Sequence, residues 1–307
     1  MAHLLIAILG PTGSGKSDLA LHLAERFGGE IVNCDSVQIY RGFDIGTAKT
    51  LIEDRRGIPH HMIDVAGPGD VFTAGDYSVR ARAVLAEIAS RNKIPVVVGG
   101  TGFYLRALFE GLFAGPRRDP ATRAQLTERE HRRPGSLHRI LARFDPQSSA
   151  RIHPNDVNKT IRALEVCLLE RQPLSKMFET GRDPLVGFRI VKVGLNPPRE
   201  TLYARLDRRF QIMIETGLLD EVRTLLASGV SAQSKPFESL GYKQALAFVR
   251  GEMTLDAVIA SAQMETRRYA KRQVTWFRRE RDVEWWADFG DRQEVQTQVC
   301  EYLRELI

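Results

Sequence analysis

The sequence predicts an α/β fold, a parallel sheet flanked by helices, with an inserted helical domain. Three observations lead there. Short, continuous apolar runs alternate with stretches of helical periodicity over residues 1–100. A glycine-rich loop of the phosphate-binding pattern joins the first apolar run to the first helix, which makes the sheet one of P-loop type. A long stretch rich in arginine and proline then carries no buried strand until an apolar run returns near residue 188.

The elements follow in order. Leu4–Leu9 is apolar throughout, as a strand covered on both faces must be. Residues 17–27 place Leu19, Ala20, Leu23, Ala24 and Phe27 at helical spacing. Residues 30–34 form a second short strand. Residues 77–91 repeat the helical period through Val79, Ala83, Val84 and Ile88, and residues 95–98 form a third buried strand. Alternation of this kind builds a parallel sheet with right-handed crossovers. From Gly115 to about Arg182 only helical periods recur, in residues 137–144 and 160–169. Phe188–Leu195 returns to the sheet, closed by Pro197 and Pro198, and everything from Arg199 onward reads as helix. The expected organisation is a core domain of residues 1–115 and 186–307 and a helical insertion of residues 116–185.

Composition bounds the function classes. With 307 residues, 43% hydrophobic and 27% charged, the chain resembles an ordinary globular protein large enough for two cores. A net charge of +6 is too mild to imply a nucleic-acid partner without knowing where the charge sits. Three widely separated cysteines, Cys34, Cys167 and Cys300, fit neither a disulfide framework nor a zinc site and point to a reducing compartment. The first apolar run lacks a basic flank and reads as a strand rather than a signal peptide. No run approaches the roughly 20 apolar residues of a membrane helix, so the expectation is a cytoplasmic protein with no membrane partner.

Gly10, Pro11, Thr12, Gly13, Ser14, Gly15, Lys16 and Ser17 read G-x-x-x-x-G-K-S between a strand and a helix. The glycines permit unusual backbone angles, and the amides and helix N-terminus supply a fixed positive field. Lys16 adds a point charge, and the Ser17 hydroxyl suits magnesium. A phosphate site follows, but the owner of the phosphate does not, and an ATP-binding small-molecule kinase would use the same loop. A hydrolase or motor usually also carries an acid at the end of a neighbouring strand. Here residues 95–98 run into Gly99–Gly102 without one. Thr101 at that strand end can donate a hydrogen bond to a phosphate oxygen, or it can cap the next helix. Asp35 follows the second strand directly, at the edge where α/β proteins bind ligands. It reads as a general base, as a group holding a magnesium ion through water, or as a turn cap. Ser36, Gln38 and Tyr40 share its loop and suggest a substrate surface.

Five blocks carry a family likeness: Asp35–Tyr40 (DSVQIY), Asp44–Lys49 (DIGTAK), Pro59–Asp64 (PHHMID), Gly99–Tyr104 (GGTGFY) and Arg267–Arg278 (RRYAKRQVTWFR). In type, order and spacing they resemble the tRNA dimethylallyltransferases, and they span nearly the whole chain. The resemblance implies transfer of a dimethylallyl group from dimethylallyl diphosphate to the exocyclic amine of the adenosine immediately 3′ of the anticodon, with release of diphosphate. It implies that the loop holds the isoprenoid diphosphate, with Mg2+ as cofactor on Ser17. Asp35 would then take the proton of the attacking amine. Thr101 would bond the diphosphate near the breaking bond, and Arg209, four residues before Met213, would clamp the same group. Arg208 is its neighbour on the same predicted helix.

The resemblance also implies a tRNA partner held at its anticodon stem-loop, and a monomer is the expected state. Asp35, Ser36, Val37, Gln38 and Thr101 would meet the extruded adenosine and its neighbours, and unstacking a base costs less in a loop than in a duplex. In the insertion, Arg123 and the run Asn158, Lys159, Thr160, Ile161, Arg162 would meet the RNA. Asn158 and Lys159 stand where the family has Gln and Arg, which removes a bidentate guanidinium. Two basic stripes, Arg117 to Arg139 and Arg267 to Arg281, could track an RNA backbone. Transfer to free adenine nucleotides, or RNA binding without catalysis, remain the other readings. Trp276, Phe277, Trp285 and Trp286 read mostly as core, and His60 and His61 as polar-network residues.

Overall fold

The computed structural model describes residues 2–179 and 181–306. It divides into two compact units, Met1–Phe109 with Leu185–Ile307, and Glu110–Pro184. The first unit opens with β1 (His3–Leu9), α1 (Lys16–Phe27), β2 (Gly29–Asn33), β3 (His60–His61), α2 (Ala74–Ser90), β4 (Ile94–Val98) and α3 (Gly102–Phe109). The second unit follows with α4 (Pro120–Arg132), α5 (Ser136–Phe144), α6 (Pro146–Arg151), α7 (Val157–Glu170) and α8 (Leu174–Glu179). The chain then returns to the first unit with β5 (Phe188–Leu195), α9 (Arg199–Glu215), α10 (Leu218–Ala227), α11 (Tyr242–Val249), α12 (Leu255–Phe277), β6 (Val283–Trp286) and α13 (Gln293–Leu306).

The sheet is six-stranded and parallel throughout, in the order β3-β2-β4-β1-β5-β6. Its central strands are apolar on both faces because helices cover both, and Leu5, Ile6, Ala7 and Ile8 of β1 are fully buried. Helices α1 and α13 pack on the sheet through Leu19, Leu23, Val299 and Leu303. A separate core of Phe43, Phe210, Leu218, Phe237 and Tyr242 joins α9, α10 and α11 to the loop that follows β2. The register places the site. Ile8 of β1 and Asn33 of β2 both pair with Val98 of β4. Those three strands therefore end level, and the loops that leave them lie side by side at one edge. This is the edge where open α/β sheets take ligands.

The second unit is entirely helical among its described residues, around Leu126, Leu137, Leu141, Ile161 and Leu164. Asp145 is almost fully buried there because its carboxylate is used twice. It caps α6 through the Ser148 amide at 3.0 Å and accepts the Ser175 amide at 2.8 Å.

The strands and helices expected in residues 4–34, 77–98 and 188–195 form, with small shifts. Helix α2 begins three residues early because Thr73 and Asp76 make a reciprocal capping box. Cys34 falls just past β2. Two strands depart from the sequence reading. Residues 283–286 were expected to be helical but form β6, and His60–His61 form β3. Both are short edge strands whose pairing is dictated by a neighbour far away in sequence, not by a local period.

Candidate active site

The loop after β1 folds as a tight glycine turn over the start of α1. Gly10, Gly13 and Gly15 have φ of 144°, 78° and 80°, the left-handed region glycine alone adopts freely. Gly15 leads into α1, whose first turn carries Lys16 and the exposed Ser17. Lys16 is nearly buried and donates to the Pro11 carbonyl at 2.6 Å. Burial, and then the guanidinium of Arg209, lower its pKa to about 7, against an upward pull from Asp35. A cleft of about 410 Å³ opens in front of the loop, lined among others by Ser17, Asp35, Arg205, Arg209 and Tyr269.

Asp35 stands at the junction of this cleft with a second one of about 430 Å³, and both are also lined by Thr12, Arg209 and Tyr269. Its Oδ1 accepts the amides of Val37 at 2.8 Å and Gln38 at 3.3 Å. That turn fixes the carboxylate plane through one oxygen. Ser36 and Val37 line the second cleft beside the apolar side chains of Leu206, Phe210 and Met213. Gln38 lines the first, its amide nitrogen donating to the Thr47 carbonyl at 2.9 Å. Thr101 does not cap α3 with its side chain. Its hydroxyl accepts the Ser36 amide at 3.1 Å and sits 3.4 Å from the Ser36 hydroxyl, which ties the loop after β4 to the loop after β2.

Helix α9 supplies the cationic wall. Leu202, Leu206 and Phe210 face inward at helical spacing. The adjacent face carries Arg205 and Arg209 one turn apart toward the cleft, and Arg208 points to solvent. Arg205 holds Asp291 through two hydrogen bonds of 2.9 and 2.6 Å, so it is anchored before any ligand arrives. Arg267 of α12 grips Asp207 of α9 at 2.5 and 2.6 Å. That arginine of the basic stripe is therefore engaged in joining two helices.

In the second unit, Arg123 and Arg162 converge on Glu165, a fully buried carboxylate, at 3.2 and 2.7 Å. Arg162 also donates to the Pro116 carbonyl at 2.8 Å. Asn158 and Lys159 are exposed, with Lys159 paired to Asp156 at 2.6 Å. Thr160 and Ile161 lie in the unit's core at 2% and 3% exposure, so the run 158–162 does not present one continuous face. His61 lies 2.7 Å from Glu30 and His60 2.9 Å from the Ile58 carbonyl, in the polar surroundings expected of them. Phe277 is buried and Trp286 packs on Tyr302, while Trp285 is partly exposed. Arg205, Tyr269, Gln273 and Asn33 line the phosphate cleft and were not singled out by sequence. Arg205 had a signal in its i,i+4 spacing to Arg209, and Tyr269 and Gln273 fall within the Arg267–Arg278 block, which gave them no individual role.

Fold and site together define a P-loop α/β protein whose glycine-rich loop and Asp35 line one cleft. The family model described as IPP transferase matches residues 38–280. The tRNA dimethylallyltransferase of Solibacter usitatus is 59% identical over 292 residues, 95% of each chain, and that of Koribacter versatilis is 55% identical over 289 residues, 94% of each. A tRNA isopentenylpyrophosphate transferase of Bacillus halodurans shares the structure at 36% identity and a TM-score of 0.71, over 99% of this chain and 97% of that one. A eukaryotic dimethylallyltransferase acting on tRNA superposes at 28% identity with a TM-score of 0.83, over 99% of this chain and 78% of that one. The chain belongs to the IPP transferase family, a family of transferases.

Proposed function

We propose that this protein transfers the dimethylallyl group of dimethylallyl diphosphate to the exocyclic amine of the adenosine immediately 3′ of the anticodon in tRNA. The observation that carries the reading is the shared wall of the two clefts, where Asp35 and Arg209 stand between the phosphate loop and the partly apolar second cleft. Diphosphate would sit on the loop amides, Lys16 and Arg209, with the allyl carbon directed past Asp35. Leaving-group charge develops where these cations and dipoles already point, the arrangement that stabilises an ionising transition state most. The amine nitrogen bonds to the allylic carbon, the carbon–oxygen bond breaks, and diphosphate leaves with the bonding pair. The nitrogen gains positive charge as it bonds, and the outer oxygen of Asp35 takes its proton.

The residues present fit a magnesium ion. The Ser17 hydroxyl is exposed at the start of α1, in a cleft that a diphosphate would fill with hard oxygen donors. Bound there, the ion would neutralise charge on the departing oxygens. The RNA reading rests on relatives named for tRNA and on exposed cations of α12, Arg268, Lys271 and Arg272, the last of which lines the second cleft. In the second unit, exposed Asn158 and Lys159 would meet RNA by side chain, and Arg123 and Arg162 would do so with the faces they do not give to Glu165. No described helix is long and apolar enough to cross a membrane, and we infer a cytoplasmic enzyme acting as a single chain.

Incubation with magnesium, labelled dimethylallyl diphosphate and unmodified tRNA, followed by nucleoside analysis, tests the proposal. Dimethylallyl-adenosine in the tRNA supports it. Label found only on free adenine nucleotides, or consumption of ATP instead, overturns it.

A further inference from the structure

Gln273 is a buried side chain of α12, one turn beyond Tyr269, at 5% exposure. Its two amide atoms do opposite things on two different loops. Oε1 accepts the amide of Thr12 at 2.8 Å, and Nε2 donates to the carbonyl of Gly100 at 2.8 Å. Thr12 belongs to the phosphate loop after β1 and Gly100 to the Gly-Gly-Thr-Gly loop after β4. The contact depends on Gly100 being glycine, because a Cβ there would overlap the Gln273 amide nitrogen. One turn on, Trp276 makes the same demand of Gly102. Helix α12 thus docks on this edge of the sheet through two glycines, and Gln273 is the polar pin between them.

We propose that Gln273 is a positioning residue for the phosphate-bearing substrate. It holds the phosphate loop and the Thr101 loop at a fixed separation, and it withdraws the Thr12 amide from ligand binding. The cradle is then left to the amides that follow Thr12, with Lys16 and Arg209. A glutamine is suited to this because a donor and an acceptor are needed at once in a buried place, where either group left unpaired is costly. Tyr269 and Arg272 of the same helix line the second cleft, so α12 joins the two ends of the site. This inference rests on the reading that the first cleft takes a diphosphate.

The test measures binding of inorganic diphosphate with magnesium, and separately of an unmodified anticodon stem-loop, by calorimetry. The proteins are wild type, Gln273→Met, Gln273→Glu and Gly100→Ala, each with a thermal melt. Gln273→Met keeps length and loses both bonds. Gln273→Glu keeps the acceptor and sets a carboxylate against the Gly100 carbonyl. Gly100→Ala displaces the glutamine without altering it. In the variants that melt cooperatively, diphosphate binding weakens roughly tenfold or more, the stem-loop affinity stays within about twofold, and KM rises for the isoprenoid substrate rather than for RNA. Equal weakening of both ligands, or diphosphate affinity within about twofold of wild type, overturns the inference and leaves Gln273 a packing residue. Wild type that holds no diphosphate is a different result, and overturns the functional reading itself.

Discussion

Asp35 is held by its own turn, with one oxygen bonded to two amides, and it lines both clefts. Asp35→Asn can keep the acceptor of that turn while losing the ability to take a proton. It is expected to lower kcat by roughly a hundredfold or more with diphosphate affinity retained, read by single-turnover transfer alongside calorimetry. Asp35→Asn at wild-type rate would remove Asp35 from proton transfer. Lys16 gives a pH prediction of definite sign. In the free protein it titrates near 7 instead of 10.5, because burial and Arg209 oppose its charge. A bound diphosphate favours the charge again, so binding above about pH 7 takes up a proton at Lys16. Diphosphate affinity is accordingly full below about 7 and declines as pH rises above it. For folding the sign is the reverse. Between about 7 and 10.5 the unfolded chain binds more protons at this group, so the free protein gains stability as pH rises through that window. Calorimetry in buffers of different ionisation heat reads the proton uptake, and the Lys16 share of it disappears in Lys16→Met. Asp35 and the loop were legible in sequence because each sits in a local motif. Gln273 lies in the quoted Arg267–Arg278 block, but its role was not legible, since its two partners lie 261 and 173 residues away.

At the scale of elements, β1 and β4 were readable because burial on both faces writes an almost unbroken apolar run. The edge strands β3 and β6 were not, because two or four half-exposed residues carry no period. Helix α9 was read as a helix, but which of two adjacent arginines faces the cleft depends on its inward stripe of Leu202, Leu206 and Phe210. Arg208→Ala should therefore leave diphosphate binding intact where Arg209→Ala weakens it, by an amount typical of a charge-assisted bond, about 1.5–3 kcal/mol. Calorimetry separates the two, and equal losses would refute the assignment. In the second unit, Glu165 of α7 joins that helix to α4 through Arg123 and pairs with Arg162 of its own helix. Glu165→Ala leaves two partly buried guanidinium groups without their carboxylate, and about 3 kcal/mol of stability is expected to go. Urea unfolding measures it, and a change under about 1 kcal/mol would show that the network contributes little.

Across the whole molecule the excess positive charge is modest, so grip on RNA has to come from where the cations stand. Each phosphate neutralised contributes about 0.7–0.9 to the slope of log affinity against log salt. Lys159→Ala should lower that slope by about one and weaken binding without regard to anticodon-loop sequence, as filter binding across a salt series would read. An unchanged slope would place Lys159 away from the backbone.

The chain leaves the sheet-bearing unit at Phe109 and re-enters it at Leu185, and the amide of Leu185 bonds the carbonyl of Phe109 at 2.9 Å. The two splice points touch. To the sheet, everything in Glu110–Pro184 is the loop of a single turn, and its length is of no topological consequence. A lobe attached in this way is a graft. It can be lengthened, exchanged or pruned by descent without rethreading a strand, while the phosphate loop and Asp35 stay on the stock that bears them.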